Sequence, residues 1–181
     1  APITRGDFVV NLHKLMNGDG IKFSNQSFSD VSYDPPDVLY AVEFAVAIGA
    51  VAPAGKFYPA EPITREQAFK IAVSALGYGA EASVRGGWPY GYVYMADKCS
   101  LSDGISDDGI FDGYDMFMLL GNAANTYVNS VSSLSPDKEG YITETFETSL
   151  PLLEVYHGII RTDGIVNASD GGYLYSKDAI D

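Results

Sequence analysis

Ile63-Thr64-Arg65-Glu66-Gln67-Ala68-Phe69-Lys70-Ile71-Ala72-Val73-Ser74-Ala75-Leu76, followed by Gly77, decides how the rest of the chain is read. Thr64 and Gln67 have the spacing of a capping box, in which each side-chain oxygen accepts the other residue's backbone N–H at a helix start. The apolar residues behind them recur at helical spacing, and Gly77 suits the C′ position after the last turn. Residues 3–16 repeat the pattern as Ile3-Thr4-Arg5-Gly6-Asp7 and an apolar run ending near Met16-Asn17-Gly18. A weaker third copy starts at Ile110-Phe111-Asp112-Gly113-Tyr114-Asp115, where Asp112 takes the capping place and also the arginine's. The copies begin at 3, 63 and 110, so they read as unequal repeats of one architecture.

A second helix type precedes each cap. Asp34-Pro35-Pro36 is a start signal, and Val38, Ala41, Val42, Ala45 and Ile48 fall on one stripe ahead of Gly49. The matching segment of the third copy is 90–100, with Ala96 opposite Ala45 and Leu101 opposite Ala50. A loop at 51–62 with Pro53, Gly55, Pro59 and Pro62 joins the two helix types. Near 126 the composition shifts. Residues 126–140 are Ser-rich and read as a linker holding at most one strand. Residues 141–148 alternate like a strand, 150–157 read as a short helix behind Thr148 or Ser149, and 159–166 and 172–175 read as short strands. The fold expected is mainly α: a repeat region over 1–125, with a half repeat at 1–27, a full one at 28–85 and a degenerate one at 86–125. A small α+β annex follows over 126–181.

Composition narrows the chemistry. Of 181 residues, 24 are acidic and 11 basic, a net charge of −13. Such a chain lacks the basic face that nucleic acid or an anionic membrane demands, and no apolar run is long enough for a membrane span. One cysteine, Cys99, excludes an intrachain disulfide and a thiolate zinc cluster. His13 and His157 stand far apart in sequence, leaving little for metal or triad chemistry, and read as solvated or helix-capping. The chain opens Ala1-Pro2 without methionine, which fits a mature end left by signal-peptide cleavage.

In its motifs and their order, the chain resembles the surface-layer homology family of bacterial cell-envelope modules. The second repeat carries Phe28-Ser29-Asp30-Val31, Gly49, Phe57-Tyr58-Pro59 and Ile63-Thr64-Arg65-Glu66-Gln67, the family's motifs in sequence. The first keeps only Ile3-Thr4-Arg5-Gly6-Asp7, and the third keeps Gly86-Gly87-Trp88 and the helix without the signature. The resemblance covers about residues 1–125. It implies three repeats in a pseudo-threefold helical spindle, secretion to the cell-wall surface, and grooves that hold an anionic, often pyruvylated, secondary cell-wall polysaccharide. On this reading no reaction is catalysed and no cofactor or metal is needed. The glycan-binding residues would be Arg5, Arg65, Thr64, Glu66, Asp30, Gly49 and Trp88.

The residues supply a physical reason for that assignment. Arg5 and Arg65 each follow a capping threonine, so each sits in a first helical turn, where unpaired N–H groups and the positive end of the dipole gather. A guanidinium there is mildly unfavourable to the helix and makes best sense facing an anion. Arg65→Ala is then expected to weaken glycan binding more than folding. Blander readings stand beside these. Either arginine can pair with Asp7, Glu61 or Glu66, and Asp30 can simply start a turn. Trp88 can stack on a sugar face, but as the sole tryptophan it reads first as a core anchor. The acids Asp97, Asp103, Asp107, Asp108, Asp112 and Asp115 fail the calcium-loop template and read as a solvated loop, and Cys99 as a small buried hydrophobe.

Two other functions compete. The chain can be a self-assembling subunit of a surface layer or extracellular filament, with other copies of itself as partners and the repeats as scaffold. An enzyme, most plausibly a carboxylate-pair glycan hydrolase, ranks lowest, because no recognisable catalytic motif frames the acids.

Overall fold

The computed structural model describes residues 1–18, 23, 25–32, 36–53, 55–107, 109–136, 142–159, 169–170 and 173–174. In chain order they form α1 (Arg5–Leu15), α2 (Pro36–Ala47), α3 (Arg65–Ala75), α4 (Gly79–Val84), α5 (Tyr90–Lys98) and α6 (Gly113–Asn125). Strands β1 (Tyr127–Pro136) and β2 (Ile142–Pro151), helix α7 (Leu152–His157), and the two-residue strands β3 (Ser169–Asp170) and β4 (Tyr173–Leu174) follow. The protein is mainly α.

Three helices start as their caps require. Thr4 Oγ1 accepts the Asp7 amide at 3.1 Å and donates to the Asp7 carboxylate at 2.7 Å. At α3 the box is reciprocal: the Gln67 amide donates to Thr64 Oγ1 at 3.3 Å and the Thr64 amide to Gln67 Oε1 at 3.2 Å. At α6 Asp112 accepts the Tyr114 and Asp115 amides while the Asp115 carboxylate accepts the Asp112 amide.

Helix ends also repeat. After α3 the Tyr78 amide reaches the Val73 carbonyl and the Gly77 amide reaches Ser74's, with Gly77 at φ +85°. After α2 the corresponding bonds run Ala50 to Ala45 and Gly49 to Val46. After α5 they run Leu101 to Ala96 and Ser100 to Asp97. Ala45, Ala50, Ala96 and Leu101 are all buried, as their pairing in sequence predicts. Ser100 adopts φ +55° in the place of glycine. At α1 the left-handed residue is Asn17, φ +55°, and not Gly18. Asparagine tolerates that region better than other residues with a Cβ.

The three capped helices touch pairwise, with α2 packed on α1 and α4 and α5 on α3. Their starts meet at one end. The Ile3 amide donates to the Phe111 carbonyl at 3.2 Å, and the Ile3 carbonyl accepts the Ile63 amide at 2.9 Å. Phe8, Leu39, Phe57, Phe69, Met95 and Leu119 fill the centre. Of the expected α2 stripe, Ala41, Val42 and Ala45 are buried and Val38 and Ile48 half-buried. Leu39 and Glu43 are buried as well, Glu43 accepting the Ser27 amide at 2.6 Å and the Ser27 hydroxyl at 2.7 Å. The start signal at Asp34 and Pro35 lies outside the described residues, and α2 begins at Pro36.

Several sequence expectations are corrected. The one strand allowed within 126–140 takes up all of 127–136 and pairs antiparallel with β2, which falls on the strand expected at 141–148, with register shifts between Tyr127 and Asn129 and between Val131 and Ser133. Helix α7 starts at Leu152, behind an extended Pro151 that offers no side-chain cap, and not behind Thr148 or Ser149. Helix α4 has no counterpart in the sequence reading. It is joined to α5 by Glu81, which accepts Lys98 Nζ at 2.8 Å and Arg85 Nε at 2.7 Å. These bonds and charges outweigh burial and hold the Glu81 carboxyl below its ordinary range. Of the two late strands expected, residues 160–166 and Gly172 and Tyr175 lie outside the described residues, while Tyr173–Leu174 pairs with Ser169–Asp170.

Residue 126 is no packing boundary. The Asn129 amide donates to the Leu76 carbonyl at 2.8 Å, the Tyr78 hydroxyl to the Tyr127 carbonyl at 3.0 Å, and Leu152 is fully buried in the bundle core. His157 Nε2 donates to the Leu15 carbonyl at 2.6 Å, so this histidine caps α1 rather than its own helix. His13, expected at the surface, is buried with its ring 5.1 Å from that of Phe44.

Candidate ligand grooves at the helix starts

Arg5 and Arg65 occupy the same helical position and meet opposite surroundings. Arg5 is half-buried. Its guanidinium carbon lies 4.8 Å from the Phe57 ring centroid, and its Nε is buried without a hydrogen-bond partner. Burial depresses its hold on the proton and the Asp30 charge opposes that; the net is below the usual arginine value. It lines a groove of about 200 Å³ together with Ala50, Val51, Gln67, Lys70 and Trp88. Among the described lining residues the charged ones are Arg5 and Lys70, both cationic. Lys70 Nζ sits 5.6 Å from the Trp88 ring centroid and 5.8 Å from that of Tyr92. Trp88, expected in the core, is half exposed and forms part of the groove wall.

Arg65 is engaged by the Asp107 carboxylate, with Glu66 4.0 Å from its Nε. The cavity around it, about 490 Å³, is also lined by Asp112 and Asp115, so four carboxylates there oppose one guanidinium. The blander reading of an ion pair applies to Arg65, although the partner is Asp107 from a distant loop. An anion is repelled from that cavity and attracted to the Arg5 groove.

The other sequence-chosen residues hold structure. Thr64 caps α3. Gly49 ends α2 at φ +71°, and its neighbours Ala50 and Val51 reach the groove. Asp30 accepts the Phe57 and Tyr58 amides, each at 2.8 Å, and fixes a turn in which Tyr58 stands at φ +59°. Burial pushes its carboxyl up, and those bonds with the nearby Lys56 charge pull it further down, below the ordinary range.

The α1 N–H groups are not free for a ligand, contrary to the expectation from helix ends alone. The Arg5 amide donates to the Glu61 carbonyl at 2.9 Å and the Gly6 amide to Pro59's at 2.8 Å, so the 51–62 loop occupies them. The sequence reading missed Gln67 and Lys70. Both stand on the face of α3 shared with Ile71, and the three-residue spacing between them was the available signal. Most of the described acids at 97–115 are individually engaged: Asp97 accepts the Ser102 hydroxyl, Asp107 meets Arg65, and Asp112 and Asp115 cap α6, while Asp103 is exposed. Asp108 lies outside the described residues. Cys99 is half-buried, and burial first, with Glu81 adding and Lys98 opposing, pushes its thiol up.

No helix among the described residues is long and apolar enough to cross a membrane. No family model, curated protein or solved structure matches the chain.

Proposed function

We propose that this protein is a non-catalytic cell-surface module that attaches to an anionic cell-wall polysaccharide, working as surface-layer homology repeats do. The observation that carries the reading is the Arg5 groove: a half-buried guanidinium with an unpartnered Nε, Lys70 beside it, and an exposed indole wall. A sugar carboxylate completes the hydrogen bonding of Arg5 and is drawn by both cations, while the ring face stacks on Trp88. Three capped helices starting together agree with a spindle of repeats, the third serving as scaffold because Gly113 stands at the helical position of the arginines, Asp112 holding the capping place of Thr4 and Thr64 and not the arginine's. Between the two signature arginines, the geometry favours Arg5 over Arg65.

Pull-down with extracted wall polysaccharide, before and after removal of its acidic substituents, tests this. Arg5→Ala is expected to weaken binding by about 10- to 100-fold, the size of a lost hydrogen-bonded charge pair. Arg65→Ala is expected to change it little, and removal of the acidic groups to abolish it. Equal retention of wild type and Arg5→Ala refutes the proposal.

A further inference from the structure

The bundle has a second pole. The end of α3 lies beside the segment that follows α6, the Asn129 amide donating to the Leu76 carbonyl and the Tyr78 hydroxyl to the Tyr127 carbonyl, and the ends of α3, α5 and α6 border an open cavity of about 870 Å³. Tyr78, Cys99, Asn122, Asn125 and Asn129 are among the residues that line it. Helix C-termini present carbonyl oxygens and the negative end of the dipole, so this pole favours hydrogen-bond donors.

Several donors of the walls are already engaged. Asn122 Nδ2 donates to the Leu101 and Asp103 carbonyls at 3.0 and 2.9 Å, and Asn125 Nδ2 to Gly121's at 2.8 Å. The Tyr78 hydroxyl donates to the Tyr127 carbonyl, the Thr126 hydroxyl to Asn122's, and Lys98 to Glu81. One acceptor stands out. Asn129 is 5% exposed, and its Oδ1 is buried with no hydrogen-bond partner. Native proteins rarely leave such an atom unmet.

We infer that this cavity binds a neutral saccharide, one hydroxyl of which donates to Asn129 Oδ1. The volume lies in the range of small-molecule sites, and Tyr127, half exposed at the rim, offers a ring face. Lys98 offsets Glu81, and the third charged lining residue, Asp103, is exposed to solvent that screens its carboxylate, so among the described residues the cavity holds no buried unpaired charge to draw a cation. The site is separate from the Arg5 groove and independent of the anchoring role.

Titration of the ¹⁵N-labelled full chain with glucose, N-acetylglucosamine, glucosamine and glucuronate tests it, read on the side-chain amide signals of Asn122, Asn125 and Asn129. At least one neutral sugar is expected to shift the Asn129 signal, and glucuronate to leave it in place. Asn129→Leu, read on Asn122 and Asn125, should weaken the neutral sugar about tenfold. Tyr127→Ala, at an exposed position, serves the same comparison should the leucine variant misfold. Arg5→Ala should leave the titration unchanged, which separates this site from the anchoring groove. Silence of these signals towards both neutral sugars, response to glucosamine alone, glucuronate binding as well as glucose, or indifference to both cavity variants overturns the inference.

Discussion

Identical tripeptides lead to different chemistry here. Ile3-Thr4-Arg5 and Ile63-Thr64-Arg65 both set a threonine cap and the same arginine position, yet Arg65 is neutralised by Asp107 while Arg5 shares a groove with Lys70. The spacing of Thr64 and Gln67 sufficed to place a cap; nothing within a few residues of Arg65 announced Asp107. Tyr78 gives a residue-scale test. Burial first, then the nearby Cys99 and Glu81, push its hydroxyl up to about 12. A folded value raised above the unfolded one, about 10, gives stability that is whole below pH 10 and lost as pH rises through 12. Tyr78→Phe removes the bond to the Tyr127 carbonyl and is expected to reduce stability by about 1 kcal/mol at pH 7. Denaturant melts should show that gap closing above pH 10, and a tyrosinate absorbance titration of the variant should lack the latest component.

At the scale of the element, helices were legible where local bonds define them, and β2 by the alternation of 141–148, but β1 was not. The caps at Thr4, Thr64 and Asp112 and the terminations at Gly49 and Gly77 involve residues at most five apart. Strand β1 is Ser-rich and reads as a linker on its own; it is a strand because β2 supplies the ladder. Helix α4, six residues long, has too little periodicity to be seen and is held by the Glu81 pairs to α5 and within itself. Gly77 joins the two levels: it ends α3 in the left-handed region, and a Cβ there would run into the Asn129 carbonyl of β1. Gly77→Ala is therefore expected to destabilise the protein by at least about 2 kcal/mol, from backbone strain plus displacement of β1. Calorimetry against wild type checks it. A loss under a few tenths of a kcal/mol would mean that β1 does not pack there.

Taken as a whole, the molecule is a bundle with two unlike ends, an arginine-bearing one where helices begin and a carbonyl-rich one where they finish. The hairpin and α7 belong to it. Leu152, fully buried, and the His157 bond to Leu15 tie residues 127–157 to the core laid down by α1 and α6. Leu152→Ala is expected to cost about 2–5 kcal/mol and to lower one cooperative transition seen equally by helical circular dichroism and aromatic fluorescence. A helical transition unmoved by the change would mean that the annex folds apart. What the sequence determined by itself is the mainly helical class, the three capped starts and the equivalent helix ends. All of these rest on hydrogen bonds between residues a few positions apart, whose pattern is written in consecutive letters. Tertiary structure decided which arginine stays open, where Trp88 and His13 lie, that β1 is a strand and that the described residues of 127–157 pack on the bundle. Those outcomes depend on partners tens of residues away, and only packing brings them within the few ångströms over which charge pairing, burial and backbone ladders act.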